Sequence, residues 1–298
     1  MAGPLDRHAL GRELTRLANA RPADLLRMQP PPPGGPTARR IGLTGAPGAG
    51  KSTLAGRLAL HRSQDGRRLG VLAIDPSSPK SGGAILGDRI RMDELQGATD
   101  LYIRSIGSRT TSDGLSDNLP EMLDTMDAFG FDEVLLETVG VGQAEYAARA
   151  QVDTLALVLL PESGDVVQAM KAGIMEMADI FVVNKCDLPG AQKMATDIKR
   201  IAALARHPPG AWLPSVVLAS STQPESIAAL SAEIDRHQAW LETSQRRQLL
   251  LQQRVRYRLR RLIERRAAEA VGALDPEVLE APMAQQLERA LRDIAAAR

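Results

Sequence analysis

The stretch that decides the fold is IGLTGAPGAGKSTLAGRLAL, Ile41–Leu60. A short apolar run ends in glycine, a small-residue loop follows, and Leu54, Leu58 and Leu60 then recur at helical spacing. The loop Gly45, Ala46, Pro47, Gly48, Ala49, Gly50, Lys51, Ser52 fits G-x-x-x-x-G-K-[ST] at every fixed position, with Thr53 as a second hydroxyl. Each residue type has a physical role. The glycines let backbone N–H groups close around a di- or triphosphate, and the new helix adds its N-terminal dipole. Lys51 places a point charge on the β- and γ-phosphates, and the Ser52 hydroxyl is a Mg²⁺ ligand. A dinucleotide fingerprint is excluded, because G-x-G-x-x-G would need glycine at Thr53.

Working outward, apolar runs start near residues 41, 71, 101, 133, 154, 180 and 215, separated by helical segments. Continuous apolar strands alternating with helices predict an α/β fold with a mostly parallel sheet covered on both faces. Residues 1–36 form an N-terminal helical extension closed by the linker PPPPGGP, residues 37–240 the nucleotide domain, and residues 241–298 a helical arm.

The chain has 298 residues, 24% of them charged, and a net charge of +1, so it is no general polyanion binder. Aromatics at 3% argue against base-stacking platforms, and no nucleic-acid partner is expected. A single cysteine, Cys186, suits a reducing, cytoplasmic setting. The apolar run Leu155–Leu160 falls far short of the ~20 residues that span a bilayer, so no membrane contact is expected. His8, His61, His207 and His237 are scattered and read as surface or structural residues.

NKCD, Asn184–Asp187, ends a strand well downstream of the phosphate loop. In this context Asn184, Lys185 and Asp187 read guanine: the aspartate accepts from the ring N–H and the exocyclic amine, a donor pair that adenine lacks. Ser220, Ser221 and Thr222 stand where nucleotide switches of this kind carry Ser-Ala-Lys. The lysine is missing, so a backbone role is expected of them. Three acids fall between: Asp75 at a strand end, Asp88 in the glycine-bearing segment SGGAILGDRIRM, and Glu137 closing EVLLE. They are candidates to hold one metal and one attacking water, with Lys51, Asp88 and Glu137 as the catalytic set.

Together GAPGAGKST, AIDPSS with SGGAILGDRIRM, ETVGVGQAE, GDVVQAMKAGI and ADIFVVNKCD resemble the MeaB/ArgK GTPases, the G-protein chaperones of adenosylcobalamin-dependent acyl-CoA mutases. The resemblance covers roughly residues 40–220. It implies a P-loop NTPase domain of the SIMIBI type, GTP and GDP with Mg²⁺ as cofactors, and metal roles for Ser52, Asp75, Asp88 and Glu137. It also implies a further switch containing Gln168 and Lys171, which couples the nucleotide to the mutase. Implied partners are the mutase with its cobalamin domain, an adenosyltransferase, and a second copy of the chain. The sequence departs from the family at IRSIGSRTTSDGLS (103–116) and at Val166 and Val167. Val141 stands where small G proteins carry a water-orienting glutamine, which predicts slow hydrolysis until a partner acts.

The arm carries nine arginines between residues 246 and 266, and an apolar stripe of Leu249, Leu250, Val255, Leu259, Leu262 and Ile263. Helical spacing predicts a stripe that packs on another chain with the arginines in solvent, and the resemblance implies that this is a dimer arm. Two other readings compete. A nickel-type metallochaperone GTPase would need a Cys/His cluster, and a nucleotide-dependent kinase would need an acceptor-site base.

Overall fold

A computed structural model describes residues 4–28, 37–64, 66–75, 100–107, 115–138, 140, 143–161, 173–204 and 208–296. Among these described residues seven strands, β1 (Arg39–Thr44), β2 (Leu69–Asp75), β3 (Leu101–Gly107), β4 (Glu133–Glu137), β5 (Thr154–Leu159), β6 (Ile180–Val183) and β7 (Ser215–Leu218), form one sheet in the order β3-β2-β4-β1-β5-β6-β7. Every pairing among them is parallel, and all seven strands coincide with the apolar runs read from the sequence.

The strands are apolar without alternation because both faces are covered. In β4, Leu135 belongs to the cluster of Leu54, Leu58, Ile227, Leu230 and Ile234, under helices α3 (Lys51–Ser63) and α7 (Pro224–Thr243). Its neighbours Val134 and Leu136 point to the other face, against Met122 and Met126 of α4 (Leu119–Ala128). A smaller cluster joins Phe181 and Val183 to Met194 and Ile198 of α6 (Ala191–Leu204). The chain runs from β1 out to β2 and β3, then returns through β4 beside β1. Ligands in such sheets bind outside the carboxyl ends of the strands, where the order reverses.

The N-terminal segment is part of this core. Helix α1 (Arg7–Ala18) buries Leu10, Leu14 and Leu17 fully against α4, and α2 (Pro22–Leu26) follows it. The Asn118 side-chain amide donates to the carbonyls of Leu17 (2.6 Å) and Ala20 (2.9 Å), closing the end of α1. Helix α5 (Gln143–Arg149) connects the Glu137 strand to β5.

The arm departs from its sequence reading. Helix α8 (Arg246–Gly272) turns much of its arginine face inward. Arg254 binds Asp153 (2.7 Å) and Arg258 binds Glu121 and Asp124 (2.8 Å each). Arg265 donates to the Asn118 side-chain oxygen. The reason is the body beneath: carboxylates at the amino end of β5 and along α4 need cations once buried. Burial drives the Arg254 pKa down to about 10 even beside Asp153. The stripe splits accordingly: Leu262 packs on the core, while Leu249, Val255, Leu259 and Ile263 are each more than half exposed. Helices α9 (Pro276–Leu279) and α10 (Met283–Ala296) follow, and α10 packs on α8 with Met283, Leu287 and Leu291 also exposed. Among the described residues no helix is long and apolar enough to cross a membrane.

Candidate nucleotide site

The phosphate loop joins β1 to α3 as the sequence requires. Gly45, Gly48 and Gly50 have positive φ (140°, 81° and 82°). At Gly45 a Cβ would lie 2.1 Å from the Val158 carbonyl, so only glycine lets the loop leave β1 past β5. Ala49 is buried, and Ala46, Pro47 and Thr53 lie along the loop and first turn. Lys51 is buried and folds back over the loop, its Nζ donating to the Gly45 (2.8 Å) and Ala46 (3.0 Å) carbonyls.

Glu137 ends β4 in register with Leu43 of β1 and Ala73 of β2. Its Oε1 accepts a 2.6 Å hydrogen bond from the Ser52 hydroxyl, so hydroxyl and carboxylate meet at the mouth of the loop. Asp75 ends the adjacent strand β2 and is also buried. These are oxygen donors only, the set that suits Mg²⁺ rather than a soft metal. Among the described residues no three His, Cys, Asp or Glu side chains gather at metal-holding distance. Mg²⁺ is typically held by one or two carboxylates plus phosphates and water, so Ser52, Glu137 and Asp75 fit that requirement. Asp88, Gln168, Lys171 and Val141 lie outside the described residues.

Two features here escaped sequence reasoning. Thr138 Oγ1 donates to Thr44 Oγ1 (2.9 Å) in full burial, and Thr138 N donates to Leu43 O (3.1 Å). They extend the β1–β4 pairing into both functional loops. Gly140, at φ 85°, presses on the phosphate loop: a Cβ there would lie 1.8 Å from the Gly45 carbonyl oxygen and 2.9 Å from Lys51 Nζ. The glycine of ETVG was legible as a turn, but its contact joins residues far apart in sequence.

The base corner forms at the ends of β6 and β7. Asn184 Nδ2 donates to the Ala49 carbonyl (2.7 Å), tying this corner to the phosphate loop, and Gly50 is glycine partly because a Cβ would lie 2.6 Å from that nitrogen. Lys185 adopts a left-handed turn (φ 52°) that presents exposed Asp187. The Ser220 hydroxyl beside Asp187 holds its carboxyl below the usual carboxylate range, ionised and ready to accept. Cys186 is half-buried beside Gln223, its Sγ 3.5 Å from Gln223 Oε1, and burial raises its thiol. Ser221 and Thr222 complete the turn, and Thr222 pairs with Ser220 through their hydroxyls (2.9 Å).

Loop, acids and base corner all lie at the carboxyl end of one parallel sheet. A family model described as "Methylmalonyl Co-A mutase-associated GTPase MeaB" matches residues 10–274. The chain belongs to the MeaB family. A probable GTPase of Mycobacterium tuberculosis is 39% identical over 240 residues, 78% of this chain and 71% of that one. A mouse protein named methylmalonic aciduria type A homolog, mitochondrial, is 39% identical over 200 residues, 66% of this chain and 48% of its own length. The solved structure of a protein titled LAO/AO transport system kinase superposes with a TM-score of 0.62 over 98% of both chains, at 22% identity, and so shares the fold. The MeaB match begins inside α1 and ends just past α8.

Proposed function

We propose that this MeaB-family chain is a Mg²⁺-dependent GTPase that acts as a chaperone of an adenosylcobalamin-dependent acyl-CoA mutase, gating cofactor loading by its nucleotide state. The observation that carries the reading is the convergence of the Lys51 loop, the Ser52–Glu137 pair and the Asn184–Asp187 corner at one end of the sheet. The mutase partner rests on the family name and on the mouse relative's name.

Bound Mg²⁺ supplies positive charge that neutralises the phosphoryl oxygens. Ser52, Glu137 and Asp75 are the residues to hold it. Lys51 leaves the Gly45 and Ala46 carbonyls for the β- and γ-phosphates, and the loop amides stabilise charge on the transferring group. Asp88 belongs to the proposed catalytic set, and Gln168 and Lys171 to the proposed coupling switch. Water attacks directly, with no covalent intermediate. A second copy is proposed to cover the exposed faces of α8 and α10, whose stripes Leu249–Val255–Leu259–Ile263 and Met283–Leu287–Leu291 lie on packed helices. The proposed setting is cytoplasmic.

The test is binding and turnover by the purified chain. Asp187→Asn should weaken GTP about 100-fold and gain xanthine nucleotides; unchanged GTP affinity overturns the guanine assignment. Slow GTP hydrolysis that a cobalamin-dependent mutase accelerates supports the chaperone role. Turnover of tens per second by the chain alone overturns it.

A further inference from the structure

The turn Ser220–Gln223 lacks the lysine that usually closes a guanine pocket, yet it is one of the most closely hydrogen-bonded corners of the site. Its organiser is Ser226, in the first turn of α7 and almost fully buried. Ser226 Oγ accepts from the Ser220 backbone N–H (2.9 Å). Its one proton faces the Gln223 carbonyl at 2.7 Å and the Ser220 carbonyl at 3.1 Å. The Gln223 N–H closes the turn onto Ser220 O (3.1 Å). One buried hydroxyl thus fixes both ends of the turn. The helix does not need it: Pro224 starts α7, and the Ser226 N–H already donates to Gln223 O (3.0 Å).

The turn in turn grips the NKCD loop. Cys186 N donates to Ala219 O (3.0 Å), and the Cys186 thiol meets Gln223 Oε1. Ser220 Oγ pairs with Thr222 Oγ1 (2.9 Å). Asp187 is exposed on a left-handed turn, so nothing in the core fixes its direction.

We propose that Ser226 is a positioning residue for base recognition: by locking the Ser220–Gln223 turn, which holds the NKCD loop through Cys186 N–H on Ala219 O and the Cys186 thiol on Gln223, it aims Asp187 toward the two donors of guanine. This inference rests on the guanine reading above. It also accounts for a selective corner without the usual lysine. The Ser220 hydroxyl lowers the Asp187 pKa and so favours the ionised form, consistent with that geometry.

The experiment measures binding of GDP, IDP and Mg²⁺-tripolyphosphate to the full chain, as wild type, Ser226→Ala and Ser226→Thr, with Asp187→Asn and XDP as the control. IDP lacks the exocyclic amine, so the GDP/IDP ratio reads how well Asp187 is aimed. Tripolyphosphate reads the phosphate loop alone. Ser226→Ala should weaken GDP about tenfold and narrow the GDP/IDP ratio, because a buried N–H loses its acceptor and the turn relaxes. Tripolyphosphate binding should stay within about twofold, and Ser226→Thr should recover most of the loss, since only the hydroxyl is required. Wild-type GDP affinity and ratio in Ser226→Ala overturn the proposal. So does an equal loss of all three probes, which marks a general structural role. If Asp187→Asn gains no XDP binding, the guanine reading itself fails, an outcome distinct from a Ser226→Ala without effect.

Discussion

The two ends of the sheet solve opposite problems. At the carboxyl end, β1, β2, β4 and β6 deliver Lys51, Asp75, Glu137 and Asn184 into loops shaped by Gly45, Gly50 and Gly140. At the amino end, Arg40, Arg62 and Arg254 are buried among Asp127, Glu133 and Asp153, and the arm is anchored there. The first end is made of backbone and small side chains, and it offers charge to a ligand. The second is made of long side chains, and it cancels charge within the chain. Burial raises Glu121 and Asp127 above ordinary carboxylates despite Arg258 and Arg40 beside them, which shows how dry that end is. One sheet can therefore carry a charged candidate site and a fixed anchor because the poles are separated by the length of its strands.

If the contrast is correct, damage at the two ends should appear in different measurements. The largest effect is expected from Gly140→Ala. Its Cβ would overlap the Gly45 carbonyl, so GTP turnover should fall at least ~100-fold while the thermal midpoint changes little; turnover near wild type would detach this loop from the site. Next is Arg254→Ala, which strips a buried cation from Asp153 and should cost about 3 kcal/mol in urea denaturation. GDP affinity should be unchanged, and a parallel loss of nucleotide binding would break the separation of the poles.

A smaller effect is expected where the site end is itself buried. Thr44→Val or Thr138→Val should each cost about 1–2 kcal/mol by leaving one hydroxyl without its partner, while the double variant should cost less than the sum. Strict additivity in that cycle would show that the pair is not a unit. The smallest effect is a pH slope from His237. It is fully buried against Thr154 and Trp240, and burial lowers its pKa below the ordinary imidazole value, with Asp179 partly opposing this. The unfolded chain therefore takes up a proton first, near pH ~6.5, and stability is lost as pH falls through that value. The slope should not exceed ~1.4 kcal/mol per pH unit, and it should vanish in His237→Gln. A slope that persists in that variant assigns it to other groups.

Much of the candidate site was legible because its motifs are local. The phosphate loop needs glycines, a lysine and a hydroxyl at fixed spacing, and Asn184–Asp187 needs a strand end; each demand falls on adjacent residues. Glu137 stood out because an acid closing an apolar strand requires a partner, and Ser52 Oγ is within 2.6 Å of it. Ser226 had no comparable signal, since a serine near a helix start is common and its partners are backbone atoms of another turn. The Thr44–Thr138 pair joins residues 94 apart, and only strand register brings them together. The arm's arginines were misread for a related reason. Periodicity shows that a helix has two faces, but not which one meets the body.

The sequence alone determined the parallel α/β sheet, the glycine-rich loop that opens α3 and the turn at Asn184–Asp187, because continuous apolar strands and short motifs encode them within a few residues. Tertiary structure alone decided that α1 belongs to the core and that Arg254, Arg258 and Arg265 point inward. It also decided which hydroxyls brace the site. Those outcomes depend on where buried carboxylates and unsatisfied N–H groups lie in space, and long-range packing sets those positions.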